Sequence, residues 1–139
     1  MKKLFLDSDV ILDLLLDRPP FAGDIAELIA GSLENNVNLF ISPISVTNIN
    51  YIIGKIENQK KADAKTKKIL EIVSVENVGQ AIISKAINSN FKDFEDAVQN
   101  FCAAAAKHKT IITRNTKDYK ESKLSIFTPK EYLAKNSNT

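Results

Sequence analysis

Leu4-Phe5-Leu6-Asp7-Ser8-Asp9-Val10-Ile11-Leu12-Asp13 is the stretch on which the fold turns. Its apolar opening is too short for a helix and suits a buried strand. Asp7 follows directly, and Ser8 or Asp9 can cap a helix over residues 10–16. Pro19-Pro20 stops that helix and opens a turn. A short buried strand passing straight into a helix is the unit from which parallel α/β sheets are built.

Outward from this stretch the unit repeats. Residues 21–33 carry Ile25, Leu28, Ile29 and Leu33 at helical spacing, and Leu39-Phe40-Ile41 is a second strand, closed by Ser42-Pro43. Ser45 is placed to cap a helix striped by Ile49, Ile52, Ile53 and Ile56. Residues 58–61 read as a polar connection, and a further helix covers 62–70. The β-branched run 72–75 predicts a strand. Ala81, Ile82, Ala86 and Ile87 mark another helix. A long one spans 93–107, with Phe94, Ala97, Val98, Phe101 and Ala105 on its apolar face. Residues 110–113 and 125–127 are further strands, and Thr128-Pro129-Lys130-Glu131 opens a closing helix with proline in its first turn. This alternation predicts one α/β domain over residues 1–139, a central parallel sheet with helices on both faces.

Composition narrows the function. The chain has 139 residues, 44% hydrophobic and 26% charged, enough for a single core without covalent staples. A net charge of +2 does not announce nucleic-acid binding but leaves a local basic patch open. The single cysteine, Cys102, rules out an internal disulfide and reads as core. The single histidine, His108, rules out His-rich zinc sites and HExxH hydrolases, and reads as a cation at a helix C-terminus. Asp7 and Asp9 interrupt the N-terminal apolar run where a signal peptide needs an uncharged one. No stretch reaches the roughly 18 apolar residues of a membrane span. A cytoplasmic location without membrane contact is expected.

In an open parallel sheet, ligands bind beyond the carboxyl ends of the strands. Asp7 stands at one such end. Arg114 and Asn115 follow the strand at 110–113, and Asp118 comes one turn later. Ser42 and Ser45 follow the second strand, and Asn48 lies one turn into its helix. Asp93 and Asp96 open the long helix, three residues apart and able to share a side. Clustered carboxylates repel one another unless a cation fills them. Oxygen ligands without His or Cys suit Mg²⁺ or Mn²⁺. A bound cation of that kind lowers the pKa of water and offsets charge on a phosphodiester. Metal-assisted phosphodiester hydrolysis is therefore one reading of these residues.

The same residues carry a resemblance. The stretch 4–13 resembles the opening of PIN domains, where a strand ends in Asp, then Ser or Thr, then usually Asn. Phe94-Glu95-Asp96-Ala97-Val98-Gln99 is similar to the family's helix start with its central Asp, and Ile111-Ile112-Thr113-Arg114-Asn115-Thr116-Lys117-Asp118-Tyr119 to its late strand and acidic loop. Residues 126–133 are also similar to the family's closing segment. The resemblance spans the chain in order. It implies a doubly wound fold and a Mg²⁺- or Mn²⁺-dependent ribonuclease acting on RNA, often the VapC-type toxin of a toxin–antitoxin pair. It further implies a homodimer held inactive by a small antitoxin whose tail occupies the active-site groove. Asp7, Asp96 and Asp118 match positions that ligate or support the metal. Asn48 and Asn115 stand where the family usually has Glu and often has Asp, and Asp93 and Glu95 lie near enough to compensate. Ser8, Thr113 and Arg114 are site-adjacent, with Arg114 suited to the scissile phosphate.

Plainer roles compete with these. Asp7 and Asp96 can be helix-terminal acids, Asp93 a cap, Asn48 a solvent-facing helix residue, and Asn115 and Asp118 turn residues. Asp9 reads as a cap or loop hydrogen-bonder rather than a ligand. The lysines at 60, 61, 65, 67 and 68 read as a solvated face that can also track RNA. The rival functional reading is a PIN-like module that binds RNA or a partner protein without catalysis. A phosphoreceiver domain fits less well, lacking paired acids after the first strand.

Overall fold

β1 (Lys3–Leu6) turns Leu4 and Leu6 to one side and Phe5 to the other, as the two-residue period of a strand requires. β2 (Asn38–Ile41), β4 (Thr110–Ile112) and β5 (Ser125–Phe127) divide their side chains in the same way. Buried on both faces, such strands need covering helices on both. The computed structural model describes residues 2–137. It contains one five-stranded sheet in the order β3-β2-β1-β4-β5, with every pairing parallel and β3 at Ser74–Val75. Leu4 lies opposite Leu39, and Phe5 opposite both Phe40 and Ile111.

On one face pack α1 (Ser8–Leu15), α2 (Ala22–Glu34), α3 (Pro43–Ile56), α4 (Gln59–Leu70) and α7 (Pro129–Ser137), around a core that includes Leu6, Ile11, Ile25, Leu28, Ile49 and Ile53. On the other face lie α5 (Gln80–Ile87) and α6 (Phe94–Ala105), against Phe5, Ile111, Cys102 and Ala103. Fully burying one Leu or Ile contributes about 1.5–3 kcal/mol, so the first of these cores dominates stability. The fold is the single α/β domain that the alternation predicts. Among the described residues no helix is long and apolar enough to cross a membrane.

Several local expectations need correction. α1 is capped by Asp7, which accepts from the Ser8 N–H at 2.8 Å, not by Ser8 or Asp9. α3 is capped by Ser42, with Pro43 in its first turn; Ser45 donates its N–H to Ser42 Oγ at 3.1 Å. α4 begins at Gln59 because Asn58 caps it through the Lys61 N–H, so the expected polar connection is its first turn. β3 is shorter than the run 72–75. The N–H groups of Ile72 and Val73 both bond to the carbonyl of Ile69 and finish α4 instead.

Candidate active site

The carboxyl ends of β1 and β4 are adjacent in the sheet, so Asp7 and residues 113–115 meet at one edge. Asp7 is buried and takes four donors. Oδ1 accepts from Ser8 N at 2.8 Å and Gln99 Nε2 at 3.1 Å; Oδ2 accepts from Thr113 Oγ1 at 3.0 Å and Tyr119 Oη at 2.9 Å. That number matches the lone-pair sites of an ionised carboxylate, and so many donors suit its negative charge. Asp9, two residues on, has one oxygen facing three donors. Oδ2 accepts from Arg114 N at 3.1 Å and Asn115 Nδ2 at 3.2 Å, and lies 3.2 Å from Thr113 Oγ1, whose one proton it shares with Asp7. Its Oδ1 is buried without a hydrogen-bond partner. Burial, then the charge of Asp7, pushes its carboxyl up to about 7.

α6 brings the third acid. Asp93 caps the helix, accepting from the Asp96 N–H at 2.9 Å. Asp96 is half-buried, and its carboxyl is pushed up to about 7 by burial, then by the charges of Asp7, Asp93, Asp118 and Glu95. Asp118 lies in a 3-10 turn, Thr116–Tyr119, which also delivers Tyr119 to Asp7. Glu95 accepts from Asn48 Nδ2 at 3.2 Å, and burial with the charges of Asp7 and Asp93 raises its carboxyl. Asp7, Asp96 and Asp118 thus share one electrostatic neighbourhood, with Asn48, Asn115, Asp93, Ser8 and Thr113 around it. Among the described residues, no lysine, arginine or histidine forms an ion pair with Asp7, Asp9, Asp96 or Asp118.

The donor set fits a hard divalent cation. It is all oxygen, it repels itself, and one of its oxygens is orphaned. Among the described residues, no three acidic, histidine or cysteine side chains converge into a ready-made cage. His108 and Cys102 lie elsewhere. His108 is buried between the rings of Phe5 and Phe40, with Nε2 2.5 Å from Glu76, and burial lowers its pKa. It is not the solvent-facing helix-end cation the sequence suggests. Cys102 is core, its thiol pushed up to about 12 by burial.

Arg114 is site-adjacent through its backbone. Its guanidinium is engaged with Asp13, at 3.0 Å from Nε and 3.2 Å from Nη2, and lies over the Phe21 ring at 4.3 Å. It is therefore committed to the fold rather than open to phosphate. The lysines of α4 are a largely solvated face, with Lys65 paired to Glu57 at 2.8 Å.

Sequence reasoning misses two supports of Asp7, Gln99 and Tyr119, and one buried acid, Asp13. Gln99 is wholly buried and donates to both Asp7 and Ser45, the latter at 2.6 Å, while its carbonyl accepts from Ser42. Tyr119 is buried, and its hydroxyl is held far from ionisation by burial and the Asp7 charge. Asp13 reads in the sequence as one more helix residue, although its place in an apolar run signals burial, and it is almost wholly buried. The buried face of α6 also differs from expectation. Gln99, Asn100 and Ala103 turn inward while Phe94 is exposed, because each inward amide has a polar partner waiting.

The comparisons with known proteins agree with this architecture. The family described as "PIN domain" matches residues 3–117. Ribonuclease VapC1 of Aquifex aeolicus (strain VF5) is 29% identical over 136 residues, covering 94% of this chain and 93% of the relative. A chain of VapBC-1 from nontypeable Haemophilus influenzae superposes with a TM-score of 0.69 at 17% identity, over 92% of this chain and 98% of its own. A chain of a toxin–antitoxin complex from Klebsiella pneumoniae gives 0.68 at 22% identity, over 91% and 97%. On the extent of the family match, supported by a near full-length relative and by the shared fold, the chain belongs to the PIN domain family.

Proposed function

We propose that this PIN-domain chain is a metal-dependent endoribonuclease and the toxin of a toxin–antitoxin pair. The observation that carries the reading is a group of acids at the sheet edge with no cation paired to them among the described residues, in a chain related to a ribonuclease. Asp7, Asp96 and Asp118 would hold Mg²⁺ or Mn²⁺ directly or through water, and Asn48 and Asn115 would complete the shell or orient water. When bound, the cation supplies a nucleophilic water at neutral pH and offsets charge on the phosphodiester. The protein's part is positioning. Ser8, Gln99, Thr113 and Tyr119 lock the Asp7 carboxylate in one orientation.

The partners follow from the same reading: RNA as substrate, a small antitoxin as inhibitor, a second copy of the chain as dimer mate. Apolar side chains such as Tyr51, Ile56, Ile87 and Phe94 stand exposed and give protein partners surface to cover. A cytoplasmic setting goes with an RNA substrate. The test is cleavage of a labelled structured RNA with Mn²⁺ or Mg²⁺, beside EDTA and Asp7→Asn. Loss in both controls is expected; full activity in Asp7→Asn would sink the assignment. The amides Asn48 and Asn115 favour one other reading, a PIN-like module that binds RNA or protein without cutting. Folded, antitoxin-free protein that cleaves none of several RNAs would select it.

A further inference from the structure

The two oxygens of Asp9 have opposite surroundings. Oδ2 is fastened to the end of β4 by the Arg114 N–H at 3.1 Å, the Asn115 amide at 3.2 Å and a Thr113 hydroxyl shared with Asp7. Oδ1 is buried and has no hydrogen-bond partner. A buried carboxylate oxygen left bare is costly unless a ligand or water meets it. A loop hydrogen-bonder explains Oδ2 and leaves Oδ1 unexplained. Asn115, for its part, is a neutral amide that offers Asp9 a donor and no charge.

We propose that Asp9 and Asn115 form one carboxylate–carboxamide unit of the metal site, in which Asp9 Oδ1 faces the cation or its water and Asn115 fixes the carboxylate. The inference rests on the metal-dependent reading above. In it the charge belongs to the pair, not to position 9. The two side chains already touch, so exchanging them keeps one carboxylate, one carboxamide and the contact between them.

The test is calorimetric titration of Mn²⁺ into the metal-free full chain, in four forms: wild type, Asp9→Asn, Asn115→Ala, and the exchange Asp9→Asn with Asn115→Asp. Asp9→Asn is expected to weaken binding about 10- to 100-fold, the range for a residue that orients or tunes a metal site. Asn115→Ala gives a smaller loss, and the exchange recovers most of the affinity. The melting temperature of each metal-free form shows whether it is folded. The proposal falls if Asp9→Asn binds Mn²⁺ as wild type does, or if the folded exchange variant recovers nothing. Should the exchange variant not fold, Asn115→Ala decides, since Asn115 is exposed and wild-type affinity there overturns the unit. Wild type that binds no Mn²⁺ would overturn the metal-dependent reading itself, whereas binding unchanged in Asp9→Asn overturns only this unit.

Discussion

Two acidic regions sit one helical turn apart on α1 and are built on opposite principles. Asp13 is almost wholly buried and is clasped by Arg18 at 2.9 Å and Arg114 at 3.0 Å. Asp7 and Asp9 are surrounded by hydrogen-bond donors and further acids, with no cation among the described residues. An acid used to hold a fold is given its counter-charge by the chain. A group of acids left without one stores repulsion that a ligand relieves. The contrast separates a structural carboxylate from candidate functional ones within a single short helix.

Four measurements break or sharpen this contrast. The largest effect is expected at the unpaired region. Asp96→Asn should reduce RNA cleavage by on the order of 10²- to 10³-fold, the range for losing one preorganised charge-stabilising group. Its metal-free melting temperature should hold or rise. A large fall in stability with cleavage intact would place Asp96 with Asp13 instead.

Next comes the cation. Mn²⁺ at 100 times its dissociation constant should stabilise the protein by about 2.7 kcal/mol. The effect depends on pH. Asp9 and Asp96 are raised from 3.8 to about 7 in the fold. Their contribution to metal-free stability is therefore fully present below about 3.8 and lost as pH rises towards about 7. A cation that binds the ionised acids should raise the melting temperature more at about pH 8 than at about pH 5. Equal shifts at both values would contradict the picture of mutual repulsion.

At the paired region, Asp13→Asn should cost about 2 kcal/mol in urea unfolding, as for a lost charged hydrogen bond between partly exposed partners. Cleavage by the folded fraction should survive. The smallest effect concerns His108. Its pKa is lowered from 6.5 by burial, so the fold stays neutral there while the unfolded chain takes a proton. Its contribution is present above about 6.5 and is lost as pH falls below it. His108→Gln should flatten the acid side of the stability profile by a fraction of a kcal/mol or more, read by denaturant melts across that range.

Much of this was legible in the sequence, for a specific reason. β1, β2, β4 and β5 are short apolar runs that end in polar residues, and a buried parallel strand leaves no other signature. The candidate acids follow those runs or open the next helix, so order together with the family resemblance is enough to propose Asp7, Asp96 and Asp118. What failed depends on contacts far apart in the chain. Gln99 and Tyr119 reach Asp7 across 92 and 112 positions, and nothing local to either marks it as a partner of a carboxylate. His108 pairs with Glu76 under two aromatic rings, and Arg114 turns to Asp13, for the same kind of reason. β3 was overlong because β-branched Ile72 and Val73 look like strand, while their N–H groups were already taken by the helix before them.

The placing of β1 at the middle of the sheet sets an order of events in synthesis. Asp7 is made 106 residues before Thr113 and 112 before Tyr119, which with β4 flank and fasten it. Until they emerge, the central strand lacks one neighbour and Asp7 lacks two of its four donors. A nascent chain therefore carries the acid without the site. A protein made on RNA, and proposed to cut it, cannot close the centre until Tyr119 has been made.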